Sequence, residues 1–394
     1  MHLQFKAVSE PTKAGRKWKK LFDTYWEGYR SWFLSNTSKS VPDLKKCEKA
    51  LKEFMPKFWD SYQHLCKITN SDEDLARFFT GFQPPAYFGG CAQAVIQTDE
   101  IQLVRNYDYH PDLLEGTLLL SKWNSKKVIG SSDCLIGLID GMNEDGLCVS
   151  LTFGGRNEIG FGFGIPFILR YVLEFCSNTK EAVIELKNIP CHMSYNVTVV
   201  DKTGETKTIM FAPNRKTIVT PAAFSTNHQG AVYWPENAKF NQTVKRYKFL
   251  NNYLESKDIS ADQLAKAFLH TPLYNTKFQK SFGTLFTAVY QPEKLRMKLM
   301  WPNAVMERSF DNFKDGRITI RYKEKLNAKS IPVAYDQDGI VENPHTWQEA
   351  LVDSLVKSIS NDDSVEKQNE LRRQLMPKGE VAWNAVSDYW NKPI

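Results

Sequence analysis

The chain has 394 residues, of which 42% are apolar and 13% aromatic, and its formal charge is +6. This composition speaks against disorder and for a packed core. The modest charge, with one short basic cluster at Lys13, Arg16, Lys17, Lys19 and Lys20, reads as a solvated helix face and not as a nucleic-acid footprint.

No apolar run approaches the roughly 20 residues that span a bilayer, and the N-terminus shows no apolar signal core. The expectation is a cytoplasmic protein without a membrane span, in which the sequons at Asn36, Asn196 and Asn241 are chance matches.

The first 80 residues read as helical. Trp18, Leu21, Phe22, Tyr25, Trp26, Tyr29, Trp32 and Phe33 recur at helical spacing, and Leu44 to Leu65 continue the pattern. Pro56 should divide the second helix. Ser71 with Asp74 resembles a capping box, and Gln83-Pro84-Pro85 stops the helix that it opens.

The texture changes at residue 90. Strands are expected at 91–97, 101–105, 117–121, 133–139, 147–153, 194–200 and 206–211, with a hairpin turn at Asp201 to Gly204. Helices are expected at 166–177, 179–187, 241–254 and 260–269, and strands at 284–290, 295–301 and 317–323. A last helix is expected from Thr346, with Leu351, Leu355, Val356 and Ile359 on one face. Strands grouped on both sides of a helical middle point to a layered α+β domain.

Several chemistries fit poorly. The glycines of Gly160-Phe-Gly-Phe-Gly164 lack the spacing of a phosphate cradle, so a flexible loop beside a pocket is expected there. No Gly-x-Ser-x-Gly is present, and His110 and His228 read as structural. The seven cysteines (Cys47, Cys66, Cys91, Cys134, Cys148, Cys176 and Cys191) show no zinc spacing, so no metal site is expected.

Cys91 stands apart through its position. It begins a strand directly after Gly89 and Gly90, where the backbone can bend tightly and leave the preceding carbonyl open to attack. Such a thiol can attack the Gly90 carbonyl and free a chain that begins at Cys91. The new α-amine, with a pKa of about 8, then serves as base for its own thiol. On these residues alone, a buried structural cysteine is the competing reading.

Further motifs follow in order: Arg105-Asn-Tyr-Asp108-Tyr109, Asn143-Glu-Asp-Gly146 leading into Thr152, Phe224-Ser-Thr-Asn227-His228, and Lys245-Arg246-Tyr247. With Gly90-Cys91 they resemble the N-terminal-nucleophile hydrolases. The narrower likeness is to the acyl-CoA:6-aminopenicillanate acyltransferase-like group, peptidase family C45, with the choloylglycine hydrolases as cousins.

The resemblance implies a four-layer αββα sandwich. It makes Cys91 the nucleophile, places Arg105 near its sulfur, and has Asp108 hold its α-amine. Asn227 and a strand-end N–H at Thr152 would bind the oxyanion, and Arg246 would complete the polar site. Residues 1–90 would be a helical propeptide or α-chain, 91–330 the sandwich, and 331–394 a helical extension.

The expected activity is cleavage or transfer of an acyl group through an acyl-Cys91 thioester, a mechanism that calls for no metal or organic cofactor. The partners would be a small N-acyl amide or acyl donor with an amine acceptor, and acyl-CoA is a possible co-substrate. The alternative is an uncleaved, catalytically silent binding protein on the same fold.

Overall fold

The computed structural model describes residues 1–322 apart from 35–40, 214, 257–258 and 281. Asn36, the helix expected from Thr346 and the extension 331–394 lie outside the described residues.

The chain opens on a strand, β1 (His2–Glu10), where a helix was expected. Leu3, Phe5 and Ala7 are buried in alternation, a period-two signal that the stronger helical pattern downstream overshadows. Then come α1 (Arg16–Leu34), α2 (Leu44–Phe54), α3 (Trp59–Thr69) and α4 (Glu73–Thr80). The predicted face of α1 is the buried one, and Trp18 Nε1 donates to the Leu135 carbonyl at 2.9 Å. Pro56 starts a single 3-10 turn between α2 and α3. The cap of α4 is Asp72, not Ser71: Asp72 accepts from Leu75 N, while Ser71 Oγ is bound to Thr69 Oγ1.

The β-rich part runs through β2 (Gly90–Gln97), β3 (Ile101–Tyr109), β4 (Thr117–Ser121), β5 (Val128–Asp133), β6 (Gly137–Asn143) and β7 (Cys148–Phe153). The single strand expected at 133–139 is divided: residue 133 ends β5 and 137–139 open β6, with a turn at 134–136 where Cys134 and Leu135 both have positive φ. The helices α5 (Ile165–Phe175) and α6 (Thr179–Asn188) lead to β8 (Tyr195–Val200), β9 (Thr206–Phe211), β10 (Ile218–Thr220) and β11 (Phe224–Ser225). Next are α7 (Pro235–Asn241), α8 (Thr243–Glu255) and α9 (Ala261–Ala267), with Gln242 at φ 55° separating the first two. The chain closes through β12 (Gly283–Gln291), β13 (Arg296–Trp301), β14 (Ala304–Ser309) and β15 (Gly316–Arg321).

Two sheets result. One has the order β10-β9-β8-β7-β6-β5-β4-β1-β15, the other β11-β2-β3-β12-β13-β14. β2 and β3 face β7 across the interface, α5 and α6 cover the first sheet, and α8 and α9 cover the second. This is the α+β arrangement of four layers.

Strand alternation divides β2 between two cores. Ala92, Ala94 and Ile96 pack with Leu250, Leu264 and Phe268 beneath α8 and α9, whereas Cys91 and Val95 join the inter-sheet core. β1 lies parallel to β4 and antiparallel to β15, so the N-terminal segment is hydrogen-bonded into the first sheet on both edges.

The glycine loop before α5 is strapped down, contrary to the flexible loop expected. Phe163 bridges to Phe82 on one side and Cys191 on the other. Among the described residues no helix is long and apolar enough to cross a membrane.

Candidate active site

Cys91 is the second residue of β2, paired with Tyr107 of β3, and is buried between the sheets. Arg105 lies two positions along on β3, so alternation puts its side chain on the same inner face. Its Nη2 donates to Cys91 Sγ at 3.0 Å, its Nε donates to the Leu151 carbonyl at 2.9 Å, and its Nη1 meets Asp140 Oδ2 at 2.6 Å. Burial raises the thiol pKa, Arg105 opposes that rise, and Asp108 adds to it. A cation at the sulfur favours thiolate, the reactive form.

A second polar chain starts at the Cys91 backbone. Cys91 N donates to Asn227 Oδ1 at 3.1 Å, and Arg246 Nη2 donates to the same oxygen at 2.5 Å. Arg246 Nη1 continues to Asp108 Oδ2 at 2.8 Å, and Asp108 Oδ1 accepts from Thr284 Oγ1 at 2.6 Å. A guanidinium can only donate, so Arg246 fixes the Asn227 amide with its oxygen inward. Asn227 Nδ2 then donates to the Phe153 carbonyl at 3.2 Å. Burial raises the Asp108 carboxyl pKa and Arg246 opposes it; burial also lowers the Arg246 pKa, against Asp108.

Five of the six site residues expected from sequence thus converge: Cys91, Arg105, Asp108, Asn227 and Arg246. Two details differ from expectation. The Cys91 nitrogen rests on Asn227, while Asp108 flanks Gly90 and contacts the thiol through its backbone. The Thr152 side chain belongs to the scaffold of the site. Its hydroxyl donates to the Thr226 carbonyl at 2.9 Å and accepts from Asn196 Nδ2 at 3.1 Å, which holds the turn carrying Asn227. His228 belongs to the same scaffold, with Nδ1 2.8 Å from Thr243 Oγ1.

Gly90 is required sterically. A Cβ there would come within 2.5 Å of the Phe282 ring and 3.2 Å of Asp108 Cβ. Upstream, the Phe88 ring sits between Phe153 and Trp234, at 5.1 and 5.3 Å.

Sequence reasoning missed Asp140, Tyr290 and Thr284. Tyr290 OH donates to Asp140 Oδ1 at 2.5 Å, completing the clamp on Arg105. The available signal was a lone acid inside the apolar strand Leu138-Ile-Asp140-Gly-Met142. Such an acid must find a cation when buried. Among the described residues no three metal-binding side chains converge.

A family model described as acyl-coenzyme A:6-aminopenicillanic acid acyl-transferase matches residues 96–305. No curated protein sequence matches the chain. Among solved structures, the chain is similar to a mutant conjugated bile acid hydrolase from Clostridium perfringens, at 14% identity and a TM-score of 0.40, covering 60% of this chain and 98% of that one. It is similar to penicillin V acylase from Agrobacterium tumefaciens at 14% identity and a TM-score of 0.39, covering 56% and 86%. A Caenorhabditis elegans ortholog of N-acylethanolamine-hydrolyzing acid amidase matches at 16% and a TM-score of 0.37, covering 59% and 100%. With the family model spanning more than half of its length, the chain belongs to the acyl-coenzyme A:6-aminopenicillanic acid acyl-transferase family.

Proposed function

We propose that this protein is an autoprocessing thiol acyltransferase or amidohydrolase with Cys91 as its nucleophile. The observation that carries the reading is the double hold on Cys91: Sγ receives Arg105 Nη2 at 3.0 Å and N reaches Asn227 Oδ1 at 3.1 Å. The residue so held follows Gly90 directly.

In the first step the thiol attacks the Gly90 carbonyl. The C–N bond to Cys91 breaks, the thiol proton passes to the departing nitrogen, and a thioester forms. Water then releases the Gly90 carboxyl and restores the thiol. The new α-amine titrates near 8, so it can take the thiol proton in later turnovers.

A substrate carbonyl then acylates Cys91, and water or an amine removes the acyl group. Asn227 Nδ2, turned from the Phe153 carbonyl, donates to the oxyanion, a contribution of about 3 kcal/mol for one well-placed donor. Thr152 acts by holding the Thr226–Asn227 turn. The substrates are small N-acyl amides or acyl donors with amine acceptors; acyl-CoA is one candidate donor.

After cleavage the two chains stay together, since β1 is bonded to β4 and β15 and α1 is packed on the core. The described cysteines are all unpaired, which supports a reducing compartment such as the cytoplasm. Intact mass tests the proposal. Wild type should give two chains parting at Gly90–Cys91, and Cys91→Ala should stay whole and take up no acyl group. An intact wild type that carries an acyl adduct on another residue would overturn it.

A further inference from the structure

Beyond β7 the loop 154–158 presses against residues 227–229. Gly155 has φ 72°, and a Cβ there would lie 2.3 Å from the Asn227 carbonyl oxygen; one at Gly154 would lie 2.7 Å from Gln229 Nε2. Arg156 is therefore carried to within one loop of the Asn227 that holds Cys91. Its guanidinium lies 3.8 Å from the centre of the Tyr233 ring and forks onto Glu158, Nη2 to Oε1 at 3.0 Å and Nε to Oε2 at 3.3 Å.

Arg215 lies in the connection between β9 and β10. Its Nη2 donates to Gln229 Oε1 at 2.6 Å, but its buried Nε has no hydrogen-bond partner among the described residues. Burial lowers the Arg215 pKa, and the Arg156 charge lowers it further. Among the described residues, Glu158 is the carboxylate that acts on both cations. The loop that carries Arg156 and the Arg215 side chain thus meet at Gln229, where the two cations repel and one donor is unspent.

The surroundings are apolar. Tyr233 is 56% exposed and Phe161 55%, and Gly160 abuts Pro213, two residues before Arg215. Tyr233 precedes Trp234, whose ring packs on Phe88 just upstream of the scissile bond.

Resting on the reading of Cys91 as nucleophile, we propose that Arg156 and Arg215 recognise an anionic group on the small-molecule substrate, a carboxylate or a phosphate, with Tyr233 and Phe161 flanking its apolar part. Planar guanidinium forks match either anion, and such an anion would satisfy Arg215 Nε and relieve the repulsion between the two cations.

The test compares N-decanoylglycine and N-decanoyl-O-phosphoethanolamine with the neutral N-decanoylglycinamide. The charged amides should show a KM at least about ten-fold lower, the scale of a charge-assisted hydrogen bond. Arg156→Gln and Arg215→Gln should erase that advantage by raising KM for the charged substrates alone, with kcat and the neutral amide unchanged. Response of the glycine conjugate only identifies a carboxylate ligand, and response of the phosphate conjugate only identifies a phosphate. Equal KM values for charged and neutral amides, or variants that weaken both alike, would overturn the proposal.

If none of the three acylates Cys91, the intact-mass experiment judges the nucleophile reading separately. Thermal shifts with the same ligands then judge the arginine site without turnover. Stabilisation by a charged ligand that both Gln variants abolish upholds the anion site, and shifts equal to those of the glycinamide refute it.

Discussion

One guanidinium, Arg105, is shared between the Cys91 sulfur at 3.0 Å and the Asp140 carboxylate at 2.6 Å, all three groups being buried. The cation therefore cannot move toward the sulfur without leaving Asp140. Asp140 and Tyr290 set how much of its charge the thiol receives.

Arg105→Gln should raise the apparent thiol pKa of Cys91, since the cation that most opposes the effect of burial is then gone. The rate of Cys91 alkylation against pH reads this directly. Arg105→Gln with Asp140→Asn should regain the stability lost by stranding Asp140 and keep the raised pKa. An unchanged profile in both variants would show that Arg105 does not tune the thiol.

Gly90→Ala should slow self-cleavage at least about ten-fold. Its methyl would meet the Phe282 ring at 2.5 Å and displace the scissile peptide. Adding Phe282→Ala opens that space and should restore much of the rate, as followed by the appearance of two chains on gels.

Arg246→Met should destabilise the protein by about 3–5 kcal/mol, because it strands Asp108 as a buried charge. Arg246→Met with Asp108→Asn should recover most of that loss and remain inactive. Urea unfolding of the single and double variants separates the structural from the functional contribution.

Asp133 is held by Tyr29 OH at 2.9 Å, and the same hydroxyl meets Glu115 Oε1 at 2.5 Å. Burial first, then Glu115, raises the Asp133 pKa from 3.8 to about 7. The folded state thus binds a proton more tightly than the unfolded chain, so the stabilising contribution is full below pH 3.8 and is lost as pH rises to about 7. The Tm of wild type relative to that of Asp133→Asn should therefore fall as pH rises across that window. A wild-type Tm that rises relative to the variant would contradict the assignment.

The sequence by itself determined the glycines that open the chain before Cys91, the aromatic face of α1, and most strand positions. These are local properties, set by the periods of helix and strand and by the steric freedom of glycine. It also supplied the family motifs that single out Asp108, Asn227 and Arg246. Only the tertiary structure decided that β1 closes into the first sheet, because its edges are satisfied by residues more than 100 positions away. Only it showed Thr152 to be a brace, Asp140 the second claimant on Arg105, and Arg156 and Arg215 neighbours. Each depends on which buried donor meets which acceptor across the two sheets and their loops, and no local periodicity encodes that pairing.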